Sequence, residues 1–454
     1  MGGRDHLLGI GGVGMSALAQ ALIDAGRTVT GADRLVDGGG TTPVLEALRR
    51  QGVELYPETG AGIDAGTDRV IVSTAIEDAN PGLMCARELG VSVVHRAPAL
   101  AEALSGRRLV AVAGTCGKST VTAILGHLLV ASGFDPVVVN GAQIVGWDDG
   151  GRRVGSVRKG GGEWAVAEVD ESDKSLTAFR PYAAIVTNAS ADHYSEEEMN
   201  AVFDAFVKDV PGPVIDGRVL LNGFNGLSGF KDFNGLKGFS GFKDFNGLKG
   251  LNGINGLNGF GDLMAMAEKC PLPGAHNRAN AFLALCMAAA LGAPTDRLAA
   301  ALETFPGVER RLQRVGACAG AVVYDDYAHN PEKLAAMWRT LADAYPKGVA
   351  VLWRPHGYGP LRKMMDALAA MFAQMKRPQD ELLLLPVYDA GGTADRSVNT
   401  DALAARVSGA RMASDLNEAE TVLRKLAPAV GAIVTAGARD PGLPVLARRL
   451  AEKE

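Results

Sequence analysis

The stretch "GTCGKSTVTA", which begins at Gly114, has the residue types of a loop that grips the phosphates of a nucleotide. The commonest phosphate-binding loop, G-x-x-x-x-G-K-[ST], is longer, and its pattern is matched here by Gly114, Gly117, Lys118 and Ser119. In such a loop the backbone N–H groups wrap the phosphates, the lysine reaches the β and γ phosphates, and the hydroxyl group holds Mg²⁺. The sequence therefore predicts a nucleoside triphosphate site at this loop.

Acidic residues follow two apolar, strand-like runs further along the chain. The segments "EWAVAEVDESDKS" and "AAIVTNASADHYSE" carry Glu168, Asp170, Glu171, Asp173, Asp192 and His193. Carboxylates at the carboxyl end of a strand suit the metal of a triphosphate, so we expect metal ligation there, with a solvated acidic face as the alternative. His193 fits a metal ligand and a packed turn residue equally well.

A second glycine-rich loop, "GIGGVG" from Gly9 to Gly14, follows the first strand-like run. It has the pattern G-x-G-x-x-G, and Asp33 follows it at the end of "RTVTGAD". Backbone N–H groups and a helix N-terminus would hold a diphosphate, and Asp33 would accept a ribose or sugar hydroxyl. Three interpretations stay open: a dinucleotide such as NAD(P), another diphosphate such as a nucleotide sugar, and a tight turn without a ligand.

Three segments combine an apolar run, a glycine-rich or acidic turn and a helical pattern. They are "HLLGIGGVGMSALAQALIDAG", "RRLVAVAGTCGKSTVTAILGHLLVASG" and "GAVVYDDYAHNPEKLAAMWRTLADA". Repeated strand–loop–helix units predict parallel sheets with ligands at the carboxyl ends of the strands. Because 454 residues are too many for one core, we expect an α/β protein of three domains, at residues 1–105, 106–305 and 306–454.

The overall composition is that of an ordinary globular protein, with 47% hydrophobic residues, 21% charged residues and a net charge of -5. The chain has no run of Lys and Arg, so nucleic acid is not an expected partner. The apolar runs are too short to cross a bilayer and the N-terminus does not resemble a signal peptide, so no membrane association is expected. Five scattered cysteines without C-x-x-C spacing indicate a reducing compartment, and we expect a cytoplasmic protein.

Residues 222–263 form a triplet repeat of a polar residue, a glycine and an apolar residue, as in "NGFNGLSGFKDFNGLKGFSGF". A period of three fits neither a strand nor an α-helix, and the lack of Pro argues against collagen. We interpret the segment as a tandem-duplication insert without a catalytic role. A small glycine-rich solenoid and an interaction segment are the alternatives.

These motifs together resemble the Mur ligases of peptidoglycan synthesis, and most closely their alanine-adding branch. The short phosphate loop is similar to the pattern G-T-x-G-K-[ST]-[ST] of that superfamily, and "GIGGVGMSALA" resembles the N-terminal segment of the branch. The family's order is then followed by "STAIEDANPG", "HRAPALAEAL", "AEVDESD", "VTNASADH", "PGAHNRANA", "FPGVERRLQ", "DDYAHNP", "RPHGY" and "GARD". The resemblance covers nearly the whole chain except the triplet repeat.

The resemblance implies a Rossmann-like UDP-sugar-binding domain, a central P-loop ATPase with a parallel sheet, and a Rossmann-like C-terminal domain. It also implies a reaction in which ATP phosphorylates the carboxylate of UDP-N-acetylmuramate and the amine of L-alanine attacks the acyl phosphate. ATP and Mg²⁺ are the implied cofactors. UDP-N-acetylmuramate and L-alanine, or a short peptide, are the implied partners, and the implied assembly is a monomer or a homodimer.

The family's motifs also imply roles for individual residues. The UDP-sugar is assigned to Gly11, Gly12, Val13, Gly14, Asp33, Ser73, Thr74 and Ala75. ATP is assigned to Gly114, Thr115, Gly117, Lys118, Ser119, Thr120, Asn277, Arg310, Arg311 and Asp326. The metal is assigned to Ser119, Glu168 and His193, and the amino-acid side to Tyr327, Arg354, His356 and Arg362. Catalytic roles are assigned to Lys118, Glu168, His193 and His329.

The chain departs from the family pattern at the amino-acid end. The loop "RPHGYGPLR" has Gly357 and Pro360 where the family has two arginines, and neither residue imitates the two-pronged grip of a guanidinium on a carboxylate. We expect Arg354 or Arg362 to take over this grip. Three alternatives to an alanine ligase stay open: a recycling ligase that joins the sugar to a tripeptide, an NAD(P)-dependent oxidoreductase, and a non-catalytic nucleotide-binding homologue.

Overall fold

A computed structural model of the chain describes residues 3–170, 175–189, 196–221, 248–249, 260–389 and 395–452. Within these residues the strands form three sheets. The packing of the backbone divides the chain into two compact units. The first unit comprises Met1–Pro271 and Ala275–Val308 and holds two of the sheets, and the second comprises Leu272–Gly274 and Glu309–Glu454 and holds the third.

The first sheet begins the chain. Its elements are β1 (Arg4–Leu8), α1 (Val13–Asp24), β2 (Thr28–Ala32), α2 (Arg34–Asp37), α3 (Pro43–Arg50), β3 (Glu54–Tyr56), β4 (Arg69–Val72), α4 (Pro81–Glu88), β5 (Ser92–His95) and α5 (Arg96–Ala103). The strands are parallel in the order β3-β2-β1-β4-β5. The strand order therefore reverses at β1, with β2 and β3 on one side of it and β4 and β5 on the other. The carboxyl ends of β1 and β4 border the crevice where ligands bind in such sheets.

The second sheet lies in the same unit. Its elements are β6 (Arg108–Ala113), α6 (Lys118–Ala131), β7 (Val137–Val139), β8 (Val157–Arg158), β9 (Trp164–Glu168), a 3₁₀ turn (Ser175–Ala178), β10 (Ala183–Val186), α7 (Glu196–Lys208), β11 (Val214–Asp216), α8 (Gly217–Leu220), β12 (Leu248–Lys249), α9 (Phe260–Ala267), α10 (Ala275–Ala290) and α11 (Thr295–Glu303). The order is β12-β11-β10-β6-β9-β7-β8, with antiparallel pairing only at the two edges. The strand β6, which is buried from Leu109 to Ala113, is central, so its carboxyl end places the phosphate loop between β9 and β10.

The third sheet forms the second unit. Its elements are β13 (Gln313–Cys318), β14 (Ala321–Asp326), α12 (Pro331–Ala344), β15 (Val349–Trp353), α13 (Tyr358–Met375), β16 (Glu381–Leu384), α14 (Thr400–Ala404), β17 (Ala410–Met412), α15 (Leu416–Leu426), a 3₁₀ turn (Ala427–Ala429), β18 (Ala432–Ala436) and α16 (Gly442–Ala451). The order is β13-β14-β18-β15-β16-β17, and all pairs except the β13–β14 hairpin are parallel. The buried side chains of Trp338, Trp353 and Phe372 pack together on one face of this sheet.

The predicted α/β class is confirmed, as are the three strand–loop–helix units, which are β1–α1, β6–α6 and β14–α12. The predicted domain boundaries lie in loops, one between α5 and β6 and one between α11 and β13, and stay predictions. Most of the triplet repeat lies outside the described residues. Of its described part, β12 pairs with β11 at the edge of the second sheet, and residues 260–263 begin α9. Among the described residues, no helix has the length and apolar character that crossing a bilayer requires.

Candidate functional site

The loop between β6 and α6 has a backbone shape that strongly favours glycine at two positions. Gly114 and Gly117 have φ angles of +125° and +85°. A β-carbon on Gly114 would lie 2.1 Å from Oγ1 of Thr187, and one on Gly117 would lie 2.5 Å from Oδ1 of Asn280. Both the left-handed backbone and the close approach therefore account for the glycines of the motif.

The tip of this loop is held by two residues that directly follow the neighbouring strand β10. Oγ1 of Thr187 donates to the carbonyl oxygen of Cys116 at 2.6 Å. The N–H of Cys116 donates to Oδ1 of Asn188 at 2.9 Å, and Nδ2 of Asn188 donates to the carbonyl oxygen of Cys116 at 3.0 Å. The sequence patterns give Thr187 and Asn188 no role, although their position after an apolar strand is a signal for one.

The remaining residues assigned to the phosphates lie on the loop and the first turn of α6. Nζ of Lys118 donates to the carbonyl oxygen of Gly114 at 2.6 Å, so the side chain lies back over the loop. Thr115, Ser119 and Thr120 are buried. Because a glycine caps this helix, the first turn receives no side-chain acceptor from its cap and its N–H groups point toward the loop. This arrangement suits a phosphate, which the positive end of the helix dipole also favours.

Glu168 ends β9, the strand next to β6, and its Oε2 accepts a hydrogen bond from the N–H of Gly141 at 2.7 Å. The other predicted ligand, His193, lies outside the described residues, as do Glu171, Asp173 and Asp192. In the part of the chain that the structure describes, no three His, Cys, Asp or Glu side chains come close enough together to hold a metal ion. The metal set of Ser119, Glu168 and His193 stays a prediction.

The "GIGGVG" loop lies at the carboxyl end of β1, and Gly12, Val13 and Gly14 lead into α1. The N–H groups of Gly11 and Leu35 donate to the two carboxylate oxygens of Asp33, at 2.8 and 3.0 Å. Asp33 therefore braces the loop and caps α2. Residues Ser73, Thr74 and Ala75 directly follow β4, the neighbour of β1, so all residues assigned to the UDP-sugar lie at one edge of the first sheet.

Arg96, the first residue of α5, links the first glycine loop to the acidic end of β9. Its Nη2 donates to Oδ2 of Asp170 at 2.7 Å, and its Nη1 lies 2.9 Å from the position of a β-carbon on Gly14. A cavity beside it, which we call the front cleft, is lined by residues that include Gly14, Arg96, Glu168, Asp170 and Phe179. The sequence motifs give Arg96 no role, and its position directly after a strand is the available signal.

Asn277, assigned to the nucleotide, lies in the first turn of α10 and is buried. Nδ2 of Asn280 donates to Oδ1 of Asn277 at 3.4 Å, and Asn280 is the residue that crowds Gly117. The helix therefore brings Asn277 to the side of the phosphate loop.

In the second unit, Asp326 ends β14 and is buried. Its carboxylate accepts hydrogen bonds from the N–H groups of Leu312, at 2.6 Å, and Ala328, at 2.7 Å. Burial raises the pKa of Asp326 to about 6, against the positive charge of Arg311, which lowers it.

The two arginines of "GVERR" lie over the ring of Tyr327, with guanidinium carbons 5.1 Å (Arg310) and 5.6 Å (Arg311) from its centroid. Nε of Arg310 also donates to Oδ2 of Asp325 at 3.0 Å, and its Nη2 donates to the carbonyl oxygen of Gly437 at 2.5 Å. Arg310 thereby fixes the end of β14, while Arg311 is the arginine whose charge acts on Asp326.

Two histidines of the amino-acid side meet in the second unit. The rings of His329 and His356 are 4.9 Å apart in an edge-to-face arrangement, and Nδ1 of His329 is 3.0 Å from the carbonyl oxygen of Tyr327. Burial lowers the pKa of each histidine to about 4. Both rings are therefore neutral at neutral pH, so each has one nitrogen that can accept a proton or a hydrogen bond.

The two arginines expected to replace the missing pair already have carboxylate partners. Nη1 of Arg354 is 2.7 Å from Oδ2 of Asp440, and Nη2 of Arg362 is 2.7 Å from Oδ2 of Asp395. Arg354 is mostly buried, whereas the Arg362 pair is exposed. Binding of a substrate carboxylate by either arginine stays a prediction. The exposed ion pair of Arg362 with Asp395 is the weaker of the two, so a substrate carboxylate would replace Asp395 more easily than Asp440.

A glycine loop at the head of a helix, beside a carboxylate that ends the neighbouring strand, defines a class of nucleotide-binding α/β proteins. The family model described as "Mur ligase family, catalytic domain" matches residues 5–108, and that described as "Mur ligase, glutamate ligase domain" matches residues 310–439. The UDP-N-acetylmuramate–L-alanine ligase of Methylocella silvestris is 34% identical, over 96% of this chain and 94% of that protein. The enzyme of the same name from Kineococcus radiotolerans is 36% identical, with the same coverage of both chains. The chain belongs to the Mur ligase family.

Among solved structures, the UDP-N-acetylmuramate–alanine ligase of Thermotoga maritima matches with a TM-score of 0.71, over 98% of each chain and at 24% identity. A murein peptide ligase of Psychrobacter arcticus matches with a TM-score of 0.65, over 99% of this chain and 98% of that one, at 21% identity. Both likenesses show that the three-sheet fold is shared.

Proposed function

We propose that the chain is an ATP-dependent ligase of peptidoglycan synthesis that joins L-alanine to UDP-N-acetylmuramate. The observation that carries this proposal is the similarity, over 96% of the chain, to proteins of that name. Residues 1–105 would bind the UDP-sugar, residues 106–305 would bind ATP, and residues 306–454 would receive the amino acid. We place the enzyme, as a monomer or homodimer, in the cytoplasm, where both nucleotide substrates are available.

The phosphate loop suits the role assigned to it. Gly114 and Gly117 open the backbone to a phosphate, the first turn of α6 offers N–H donors, and the Lys118 ammonium is already at the loop. Ser119, Glu168 and His193 would hold Mg²⁺. Bound there, the ion would neutralise charge on the phosphate oxygens as the phosphoryl group moves. Asn277, Arg310, Arg311 and Asp326 would hold the rest of the nucleotide.

The reaction that fits these residues has two steps. The lactyl carboxylate of the sugar attacks the γ phosphorus of ATP, which forms an acyl phosphate and releases ADP. The amine of alanine then attacks the acyl carbon, phosphate leaves, and the nitrogen loses a proton. The protein's own contribution is to hold the two substrates in line and to stabilise the developing charge, chiefly through Lys118.

The residues of the second unit suit the amine. The neutral rings of His329 and His356, which lie against each other, can accept a hydrogen bond from an ammonium group. Tyr327 orients the ring of His329, because its carbonyl oxygen lies within hydrogen-bond distance of Nδ1 of His329 and the two rings are in contact. Arg362, whose carboxylate partner is exposed, would receive the carboxylate of the amino acid.

One observation favours a second candidate, a ligase that joins the same sugar to a tripeptide. Gly357 and Pro360 remove two arginines from the loop that would hold a single amino acid, and a β-carbon at Gly359 would meet no atom within 4 Å. A larger acceptor has room there.

Phosphate release from Mg-ATP and UDP-N-acetylmuramate, with L-alanine or with the tripeptide, tests the proposal. We expect release with L-alanine and a product heavier by one alanine residue. Lys118→Ala should lower kcat by about 10²–10³-fold while UDP-sugar binding survives, and Lys208→Ala, at an exposed position on α7, should leave kcat unchanged. Release only with the tripeptide would select the second candidate, and no release with either acceptor would refute the ligase.

A further inference from the structure

A second cavity lies at the edge of the second sheet opposite to the phosphate loop. It has a volume of about 840 Å³ and opens at the amino-terminal ends of β6 and β10, beside α7. Its walls are mainly apolar, with buried Leu109, Leu176 and Phe179 at the base and half-buried Phe206 at the side. A cavity of this size and lining is typical of sites for small organic ligands. We call it the rear cavity.

The charged groups around the rear cavity are mostly positive. Three arginines and one carboxylate, that of Asp209, line it. Arg107 donates to the carbonyl oxygens of residues 160 and 162, and Arg180 donates to those of residues 177 and 179, so these hydrogen-bond acceptors carry no charge. The carboxylate of Asp135 also interacts with the charge of Arg107, and the three arginines still outnumber the carboxylates that line the cavity. An anionic group is therefore favoured there.

The third arginine, Arg108, is held in place by aromatic rings. Its guanidinium carbon lies 4.3 Å from the ring centroid of Trp164 and 3.9 Å from that of Tyr182. Its ion pair with Glu163 is long, at 3.8 Å. A guanidinium stacked in this way keeps its edge N–H groups for an anion.

Phe179 connects the rear cavity with the front cleft, because it is a lining residue of both. It follows the 3₁₀ turn Ser175–Ala178, and Oγ of Ser175 donates to the carbonyl oxygen of Asp170 at 2.9 Å. Asp170 is the partner of Arg96 beside the first glycine loop. A ligand that displaces Phe179 would therefore shift residues of the front cleft.

We propose that the rear cavity binds a small amphipathic organic anion, with an aromatic or aliphatic body against the apolar base and its acid group on Arg107, Arg108 and Arg180. Occupancy changes the affinity of the first glycine loop for the UDP-sugar through Phe179, Asp170 and Arg96. The effect on UDP-sugar affinity rests on the proposed function, whereas the binding of an anion in the rear cavity does not.

The probe is 8-anilinonaphthalene-1-sulfonate, an aromatic sulfonate whose fluorescence rises on binding, titrated into the full chain. We expect saturation at one probe per chain. Arg180→Gln, which keeps a donor for the local carbonyl groups but loses the charge, should weaken binding about tenfold. Ala205→Trp, which places a ring at the cavity wall, should abolish the saturable signal.

Matched controls are Arg297→Gln and Ala201→Trp, both at exposed positions that do not line the cavity, and both should bind like the wild type. Wild-type affinity in Arg180→Gln and Ala205→Trp, or a signal that never saturates, would overturn the site.

Calorimetric titration of UDP-N-acetylmuramate, with and without saturating probe, tests the coupling. We expect the two affinities to differ about fivefold or more, and Phe179→Leu to bring them closer together. Equal affinities in the wild type would overturn the coupling. If the sugar fails to bind under either condition, the proposed function is wrong, and the probe titration still decides the rear cavity.

Discussion

The buried carboxylate of Asp326 gives the second unit a pH dependence of predictable sign. Its pKa is raised by burial to about 6, from 3.8 in an unfolded chain. Because the folded state binds this proton more tightly, the stabilising contribution is complete below about pH 4 and is lost as the pH rises through 6. Two pKa units correspond to about 3 kcal/mol in the free energy of unfolding.

The substitution Asp326→Asn removes this titration. We expect the stability of the wild type relative to the variant to fall by about 3 kcal/mol between pH 4 and pH 7. In the variant, the amide also places an N–H group opposite the N–H of Leu312, which lowers the stability by an amount that does not depend on pH. Burial lowers the pKa of His6, His276, His329 and His356 to about 4, so they destabilise the fold as the pH falls from 6.5 to 4. Both proteins keep these histidines, so their effect cancels in the difference.

Equilibrium urea unfolding between pH 4 and pH 7 measures this difference. Two of the four tryptophans, Trp338 and Trp353, belong to the core of the second unit. In a background with Trp147→Phe and Trp164→Phe, fluorescence reports on the second unit alone. A difference that stays constant with pH, or that grows toward pH 7, would refute the assignment of a raised pKa to Asp326.

Two further predictions concern the loops. Gly117→Ala should weaken ATP binding about tenfold or more, measured by calorimetry, because the added carbon meets Asn280. The control is Gly133→Ala, since Gly133 has a similar φ of +84° and an added carbon there would meet no atom within 4 Å. Equal ATP affinities in the two variants would contradict the crowding at Gly117. Arg96→Gln should weaken UDP-N-acetylmuramate binding about tenfold with ATP affinity unchanged, and should cost under about 1 kcal/mol of stability because its pair with Asp170 is partly exposed. Arg87→Gln is the matched exposed control, and unaltered sugar affinity in Arg96→Gln would remove Arg96 from the sugar site.

The phosphate loop shows what could be predicted from the sequence. A buried strand, a turn with two glycines at left-handed positions and a helix headed by Lys118 are all local features, and they lie within about twenty residues. The same holds for the first glycine loop and for β14 with Asp326. Local propensity and hydrophobic pattern are enough to place such units, because each forms from neighbouring residues.

The supporting contacts are of another kind. Thr187 and Asn188 hold Cys116 across more than seventy residues, and Arg96 meets Asp170 at a similar separation. The carboxylate partners of Arg354 and Arg362 are likewise distant along the chain.

The sequence by itself thus determined the α/β class, the strand–loop–helix units and the residue types of the two glycine loops. The tertiary structure alone decided which strands became neighbours and therefore which side chains brace each loop. The physical reason is that strand order depends on how the apolar faces of whole elements pack, and this packing sums many weak contacts that leave no short sequence pattern.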